Sequence, residues 1–126
     1  MIVGLGSDLV AVPRVAAALA AHGERFARRV YTPAEAAYCS GRPQAAESYA
    51  ARFAAKEAFF KAVGVGWPNR GMRWVDVEVV RAASGAPSLV LAGAAAEILG
   101  LRGGRRVHLT MSHTAEWAMA TVVLED

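Results

Sequence analysis

The densest group of residues able to do chemistry lies in the stretch RFAAKEAFFKAVGVG, residues 52 to 66. Arg52, Lys56, Glu57 and Lys61 stand there among alanines and phenylalanines that otherwise predict a buried helix. Charges are unusual on a helix that packs into a core, because a buried ion loses its hydration. Glu57 and Lys61 are one helical turn apart, and from spacing alone a surface ion pair is the favoured interpretation.

A ligand site is the alternative interpretation. The cations of this stretch lie along a helix that ends near Gly64 and Gly66, where the backbone can approach a bulky anion. Asp8 directly follows a glycine-containing strand predicted over residues 2 to 7, a position from which a carboxylate can face a ligand. Asp8 and Glu57, with water and phosphate oxygens, would suit the octahedral oxygen shell of Mg²⁺. A turn or helix-capping role for Asp8 stays open.

A third polar group, Ser112, His113 and Thr114, lies at the turn of a predicted hairpin near the end of the sequence. Short polar side chains and free backbone N–H groups there could receive phosphate oxygens, and simple stabilisation of the turn explains them equally well. The sequence has no zinc-like spacing of cysteine and histidine, no Walker-type phosphate loop and no G-x-S-x-G motif.

Composition limits the class of protein. The 126 residues, 55% hydrophobic and 20% charged, predict one globular domain over 1–126. A single cysteine, Cys39, rules out an intrachain disulfide and fits a reducing compartment. We find neither a signal-peptide pattern nor an apolar run of membrane-spanning length, so we expect a cytoplasmic protein without a membrane partner. The net charge of +3 favours an acidic partner without identifying it.

Two basic runs raise the question of nucleic-acid binding. RFARR covers residues 25 to 29 and RGGRR covers residues 102 to 106. Neither has interleaved aromatic residues or lies in a nucleic-acid-binding motif, so this class is the weaker alternative and we expect no nucleic-acid partner.

Strands and helices are mixed along the chain. Thr32 and Glu35 form a capping-box pattern with Pro33 at the first helical position, and Gly41 can end that helix. The other predicted elements are a helix from Pro13 to Gly23 with a short piece after it, a long helix over 44–63, strands within 73–82 and 84–93, a helix over 94–104, and a final hairpin joined at 112–116. Because the last strands are adjacent, an α+β fold is favoured.

Three segments together resemble one family. VGLGSDLVAVPR (3–14), RFAAKEAFFKAVGVG (52–66) and LTMSHTAEWAMATVV (109–123) are similar, in order and spacing, to the motifs of holo-acyl-carrier-protein synthases, the short single-repeat 4′-phosphopantetheinyl transferases. RFARRVYTPAEAAYC (25–39) also resembles the family. The resemblance implies an α+β unit with an antiparallel sheet packed on a long helix. It also implies transfer of 4′-phosphopantetheine from coenzyme A to a serine of an apo acyl carrier protein for fatty-acid or polyketide biosynthesis, releasing adenosine 3′,5′-bisphosphate.

The resemblance also implies roles for individual residues. Asp8 and Glu57 match the acidic Mg²⁺ ligands, and Lys61 matches the lysine near the pyrophosphate. Glu57, directly or through a water molecule, could also take the serine proton. The positions matching coenzyme A contacts are Arg52, Lys56, Lys61, Gly64, Gly66, Ser112, His113 and Thr114.

Two partners follow from the same resemblance. Arg14 matches the arginine that begins the carrier-docking helix, and family members of this size are homotrimers with each active site between two subunits. The helix after Arg14 is almost all alanine, so we expect Arg25, Arg28 and Arg29 to carry more of the electrostatic steering. The expected carrier contacts are Arg14, Arg25, Phe26 and Arg28. A non-catalytic module that binds coenzyme A is the main alternative, and such a module would not need both Asp8 and Glu57.

Overall fold

The architecture is α+β, as predicted, with two antiparallel sheets and one long central helix. The computed structural model describes residues 1–65 and 68–126, so the predicted contact of Gly66 lies outside the described residues. The elements are β1 (Ile2–Ala11), α1 (Val12–Val30), α2 (Pro33–Ser40), α3 (Ala45–Ala62), a 3₁₀ turn (Trp74–Asp76), β2 (Val77–Arg81), β3 (Pro87–Leu91), α4 (Gly93–Leu101), β4 (Arg106–His113) and β5 (Trp117–Glu125). One sheet has the order β1-β5-β4, and the other pairs β2 with β3. In the described part of the chain, no helix has the length and apolar character needed to cross a membrane.

The long helix α3 forms the centre of the core. Small residues line the side of α3 that faces the larger sheet, which lets the sheet approach closely. In β1, a Cβ atom on Gly6 would collide with the carbonyl oxygen of Ala58, and one on Gly4 would collide with that of Ala62. Asp8 is two residues beyond Gly6 and is also buried, as the period of a strand requires. The close approach therefore turns Asp8 toward the helix that carries Glu57 and Lys61.

The predicted ends of α2 are confirmed, whereas the first helix does not end at Gly23 as predicted. Glu35 N donates to Thr32 Oγ1 at 3.2 Å and Thr32 N donates to Glu35 Oε1 at 2.9 Å, which completes the capping box. Gly41 is the C-cap of α2. Gly23 has φ 51°, which kinks α1, and the helix then continues to Val30. The short piece expected after Gly23 is therefore the second half of one kinked helix.

Three expectations were wrong in detail. The first strand continues beyond residue 7 to Ala11, since β1 pairs with β5 along its length, so Asp8 is a strand residue and not a turn or cap residue. Residues 74–76 form a 3₁₀ turn because Asp76 Oδ2 accepts a hydrogen bond from Arg73 N at 2.9 Å. Ser112 and His113 pair with β5 and extend β4, so only Thr114 of the predicted turn group lies in the turn.

The glycine contact gives a direct test of this packing. We expect Gly6→Ala to destabilise the protein by about 3 kcal/mol or more, because the methyl group meets backbone atoms that cannot move independently. Gly100→Ala is the matched control: it lies in α4 with no heavy atom within 4 Å of the added Cβ, and alanine favours a helix. Urea unfolding followed by circular dichroism measures both variants, and equal midpoints for Gly6→Ala and the parent protein would contradict the packing.

Candidate active site

The structure brings Asp8, Glu57 and Lys61 together where β1 lies on α3. Lys61 Nζ donates to Asp8 Oδ1 at 2.9 Å and to the carbonyl oxygen of Ser7 at 3.0 Å. Lys61 thus pairs across the fold with Asp8, and the surface ion pair with Glu57 favoured from spacing alone was wrong. The lysine side chain is 43% exposed while that of Asp8 is 8% exposed. At this edge, the buried carboxylate of Asp8 is therefore paired with the solvent-accessible ammonium group of Lys61.

The half-buried Glu57 carboxylate stands beside Asp8. Burial and the negative charge of Asp8 raise the pKa of Glu57 to about 7, while Lys61 and Arg14 act in the opposite direction. Two carboxylates this close repel one another when both are ionised. Ionised Glu57 therefore places a second negative charge beside Asp8, which Lys61 and Arg14 offset in part.

This donor set fits Mg²⁺. Asp8 Oδ2 is buried and has no hydrogen-bond partner among the described residues, although a buried carboxylate oxygen normally has one. Mg²⁺ prefers carboxylate oxygens and commonly takes only one or two from protein, with waters and substrate phosphates completing the octahedron. No group of three or more histidine, cysteine or acidic side chains is arranged to bind a metal within residues 1–65 and 68–126. The pair Asp8 and Glu57 is thus a possible two-carboxylate site.

Lys56 lies in the core and is paired there with Glu35. Its side chain is fully buried, and its Nζ donates to Glu35 Oε1 at 2.7 Å and to the carbonyl oxygen of Trp74 at 3.1 Å. Glu35 is equally buried, and its Oε2 accepts from Val79 N at 2.8 Å. Burial lowers the pKa of Lys56, and the Glu35 carboxylate offsets part of that shift. This lysine joins α2, α3 and β2, a placement that does not fit the predicted contact with a coenzyme A phosphate.

Arg52 is also buried, with 2% of its surface exposed. Its guanidinium carbon lies 4.3 Å from the centroid of the Tyr38 ring, and its Nε has no hydrogen-bond partner among the described residues. The position therefore joins α3 to α2, away from the β1 side on which Asp8 lies.

The polar residues of the last hairpin, which were predicted to receive phosphate oxygens, contact the N-terminal end of α3. His113 Nδ1 donates to Glu47 Oε1 at 2.8 Å, and Thr114 Oγ1 accepts from Trp117 N at 3.1 Å. Lys61 lies fourteen positions after Glu47, about 21 Å along a helix. Among the described residues, no hydrogen bond or ion pair joins Ser112, His113 or Thr114 to Asp8, Glu57 or Lys61.

The residues expected to bind the carrier lie along α1. Arg14 is exposed in its first turn, and its charge reaches Glu57. Arg25 and Arg28 are exposed in its second half, where Arg28 pairs with Glu24 at 3.2 Å. Phe26 is half-buried, and its ring stacks on Phe53 of α3 at a centroid distance of 6.5 Å. The phenylalanine therefore holds the second half of α1 against α3.

One glycine at the end of α3 has a neighbour that the sequence did not indicate. Gly64 is exposed with φ 88°, and a Cβ atom there would lie 3.8 Å from Arg102 Nη2. Arg102 follows α4, far away in sequence, and belongs to the basic run RGGRR. No local pattern could have linked the two positions.

A metal-compatible carboxylate pair with an adjacent lysine is an arrangement typical of enzymes that act on phosphate esters. The family model described as "4'-phosphopantetheinyl transferase superfamily" matches residues 4–122. This chain therefore belongs to the 4′-phosphopantetheinyl transferase superfamily, and the resemblance of its three motifs is confirmed.

Its relatives are similar over their full length. The chain is 50% identical over 126 residues to the holo-[acyl-carrier-protein] synthase of Koribacter versatilis, covering 100% of both chains. It is 52% identical over 128 residues to that of Anaeromyxobacter sp. (strain K), covering 99% of this chain and 97% of the other. The crystal structure of the Neisseria meningitidis synthase is similar with a TM-score of 0.90, 34% identity and 100% coverage of both chains. The Bacillus anthracis str. Ames enzyme, solved in complex with CoA (3′,5′-ADP), has a TM-score of 0.81 and 35% identity over 98% of this chain and 96% of that chain.

The two interpretations of Lys56 predict different outcomes for Lys56→Met. If the lysine is structural, the substitution leaves the Glu35 carboxylate buried and unpaired, and we expect the free energy of unfolding to fall by about 3 to 5 kcal/mol. Lys61→Met, on the same helix, should lower it by less than Lys56→Met does, because the Lys61 side chain is 43% exposed and solvent screens its pair with Asp8. Unfolding curves measure both changes. An unchanged stability of Lys56→Met together with a raised KM for coenzyme A would restore the cofactor contact.

Proposed function

We propose that this chain transfers the 4′-phosphopantetheine group of coenzyme A to a serine hydroxyl of an apo acyl carrier protein, in a reaction that depends on Mg²⁺. The product is a holo carrier protein for fatty-acid or polyketide biosynthesis, and adenosine 3′,5′-bisphosphate is released. The observation that carries the proposal is the convergence of Asp8, Glu57 and Lys61 in a chain about half identical to holo-[acyl-carrier-protein] synthases.

Asp8, Glu57 and Lys61 have different roles in the proposed reaction. Asp8 and Glu57 would hold Mg²⁺, which would supply charge neutralisation at the diphosphate and polarise the reacting phosphorus. Lys61 is held by Asp8 and the Ser7 carbonyl, so its ammonium group is positioned to stabilise the leaving bisphosphate. The serine oxygen forms the new bond to phosphorus as the bond to the bisphosphate breaks. The Glu57 carboxylate, directly or through a water molecule, accepts the serine proton.

The charge on Glu57 is the first requirement of this mechanism. We expect Glu57→Gln to lower turnover at least about a hundred-fold, because the amide neither binds the metal as a carboxylate does nor accepts the proton. Stability should not fall, since the substitution removes the repulsion between Glu57 and Asp8. Glu97→Gln, which neutralises an exposed carboxylate on α4, is the control.

Rates of holo-carrier formation and thermal unfolding with and without Mg²⁺ measure these effects together. Mg²⁺ should raise the melting temperature of the parent protein and of Glu97→Gln, but not that of Glu57→Gln. Near-normal Mg²⁺-dependent turnover in Glu57→Gln would remove this residue from the mechanism.

The carrier docks on α1 in this proposal. Acyl carrier proteins are acidic partners, and Arg14, Arg25 and Arg28 are exposed cations of α1 that can attract them. Arg14 is near enough to Glu57 for its positive charge to lower the pKa of that carboxyl group. A carrier protein docked on Arg14 would therefore have its serine close to the carboxylate pair.

We expect Arg14→Ala to raise the KM for the carrier protein about ten-fold while changing the KM for coenzyme A by less than about two-fold. Arg105→Ala, an exposed arginine before β4, should change neither constant. Steady-state kinetics with each substrate varied in turn separates the two. Equal increases in both constants would argue against a docking role for Arg14.

The proposed active enzyme is a homotrimer with each site between two subunits. The outer face of the β1-β5-β4 sheet exposes four large apolar side chains, and Leu9 is directly paired with Met119 across the strands. Their exposed fractions are 65% for Leu5, 62% for Leu9, 49% for Trp117 and 44% for Met119. Exposed apolar side chains grouped on one face are typical of a protein–protein interface. A neighbouring subunit could also supply the His113 group that lies at the far end of α3 in its own chain.

Leu9→Glu tests the assembly, because a charge buried in the apolar patch would oppose association. We expect the variant to have the mass of a monomer and little turnover, while the parent protein has the mass of three chains. Val90→Glu is the control, since Val90 is 51% exposed on β3, outside the patch. Light scattering after gel filtration gives the masses. A trimer of Leu9→Glu, or a monomeric parent protein with full activity, would contradict this assembly.

A further inference from the structure

The helix α4 ends in a defined turn at its C-cap, Arg102. Gly103 follows with φ 80°, and its N donates to Gly100 O at 2.9 Å. Gly104 N donates to Leu99 O at 2.9 Å, which completes the hydrogen-bond pattern of a Schellman motif. The two glycines of the second basic run are therefore explained by this helix end, which also fixes the backbone at Arg102.

The helix α3 ends in the same kind of turn, and Arg102 lies beside it. Gly64 follows the C-cap of α3 with φ 88°, and its N donates to Lys61 O at 2.9 Å. Val65 N donates to Phe60 O at 2.9 Å and completes the second Schellman motif. A Cβ atom on Gly64 would lie 3.8 Å from Arg102 Nη2, and both residues are exposed. The guanidinium group of Arg102 therefore reaches from the end of α4 to the end of α3 at the protein surface.

The charge of Arg102 is not compensated where it lies. Within the described part of the chain, this arginine forms no ion pair. The carbonyl groups of Phe60 and Lys61, which could attract a cation at a helix C-terminus, already accept backbone hydrogen bonds. Lys61 is three positions before Gly64, less than one helical turn, and its side chain is also accessible to solvent. Two accessible cations therefore lie at this end of α3.

We propose that Arg102 binds the adenosine 3′,5′-bisphosphate half of coenzyme A, at the same end of α3 as Lys61. This step rests on the proposed function, in which Lys61 stabilises the leaving bisphosphate. The leaving group carries two phosphate groups, so a single ammonium group compensates only part of its charge. A guanidinium group binds phosphate oxygens through paired N–H donors. The arginine thus adds affinity for the half of the cofactor that is released and none for the phosphopantetheine that is transferred.

Arg102 differs from the other two arginines of its basic run. Arg106 belongs to β4, where its Nη2 pairs with Glu125 Oε1 at 3.2 Å. Arg105 is exposed directly before β4, and its backbone N donates to Glu125 O at 2.8 Å. Both are therefore attached to β5, whereas the guanidinium group of Arg102 lies at the end of α3. Arg105 is the matched control, because neutralising it changes the net charge by the same amount within the same run.

Titration calorimetry with adenosine 3′,5′-bisphosphate and with coenzyme A, without carrier protein, tests this contact. We expect Arg102→Gln to weaken the binding of both ligands about ten-fold and by the same factor, because the contact lies in the half that they share. Arg105→Gln should change neither affinity by more than about two-fold, since salt screens an exposed charge that makes no direct contact. Thermal unfolding without ligand is measured for the same three proteins.

Unchanged affinities of Arg102→Gln would overturn the proposal, and a lowered melting temperature in that case would make the arginine a stabiliser of the end of α3. Equal weakening by Arg102→Gln and Arg105→Gln would assign the effect to net charge and would also overturn it. Weakening for coenzyme A alone would place the contact on the phosphopantetheine half, again against the proposal. A parent protein that binds neither ligand would contradict the proposed function itself, so the two failures are distinguishable.

Discussion

The contact between the backbone of β1 and the backbone of α3 is the constraint on which the site depends. Gly4 and Gly6 leave no room for a side chain, so the strand lies directly on the carbonyl groups of Ala58 and Ala62. A strand that approaches a helix this closely can turn one short carboxylate into the helix surface. Asp8 is that carboxylate, and from its position Lys61 is near enough to donate to it. The position of the Asp8 carboxylate therefore depends on the lack of side chains at Gly4 and Gly6.

The charges of α3 have different roles because they lie on different sides of the helix. Lys56 is neutralised inside the protein by Glu35, which also completes the cap of α2 and accepts from β2. Glu57 and Lys61 lie on the β1 side, where one carboxylate is destabilised by another and a lysine is accessible to solvent. A helix that packs on nearly all sides can therefore hold one structural ion pair and one reactive edge.

Local patterns predicted much of the fold because the relevant interactions are local. The capping box of Thr32 and Glu35, the interruption at Gly23 and the alternation in the last hairpin depend on residues a few positions apart. The partner of Lys56 could not be predicted in this way, because Glu35 is 21 positions away and helical periodicity does not show which apolar side is covered. For the same reason, the sequence favoured Glu57, which is nearer along the chain, as the partner of Lys61, whereas the structure pairs Lys61 with Asp8. The residues of the candidate site were recognised by their types, whereas their partners required the tertiary structure.

The central claim is that this chain moves phosphopantetheine onto a carrier protein, and intact-mass spectrometry tests it most directly. An apo acyl carrier protein would be incubated with the purified chain, coenzyme A and Mg²⁺, and in parallel with EDTA. The account predicts that the carrier gains the mass of one phosphopantetheine group with Mg²⁺ and none with EDTA. Unchanged carrier mass with several apo carriers, despite measurable binding of coenzyme A, would contradict it and favour a non-catalytic module.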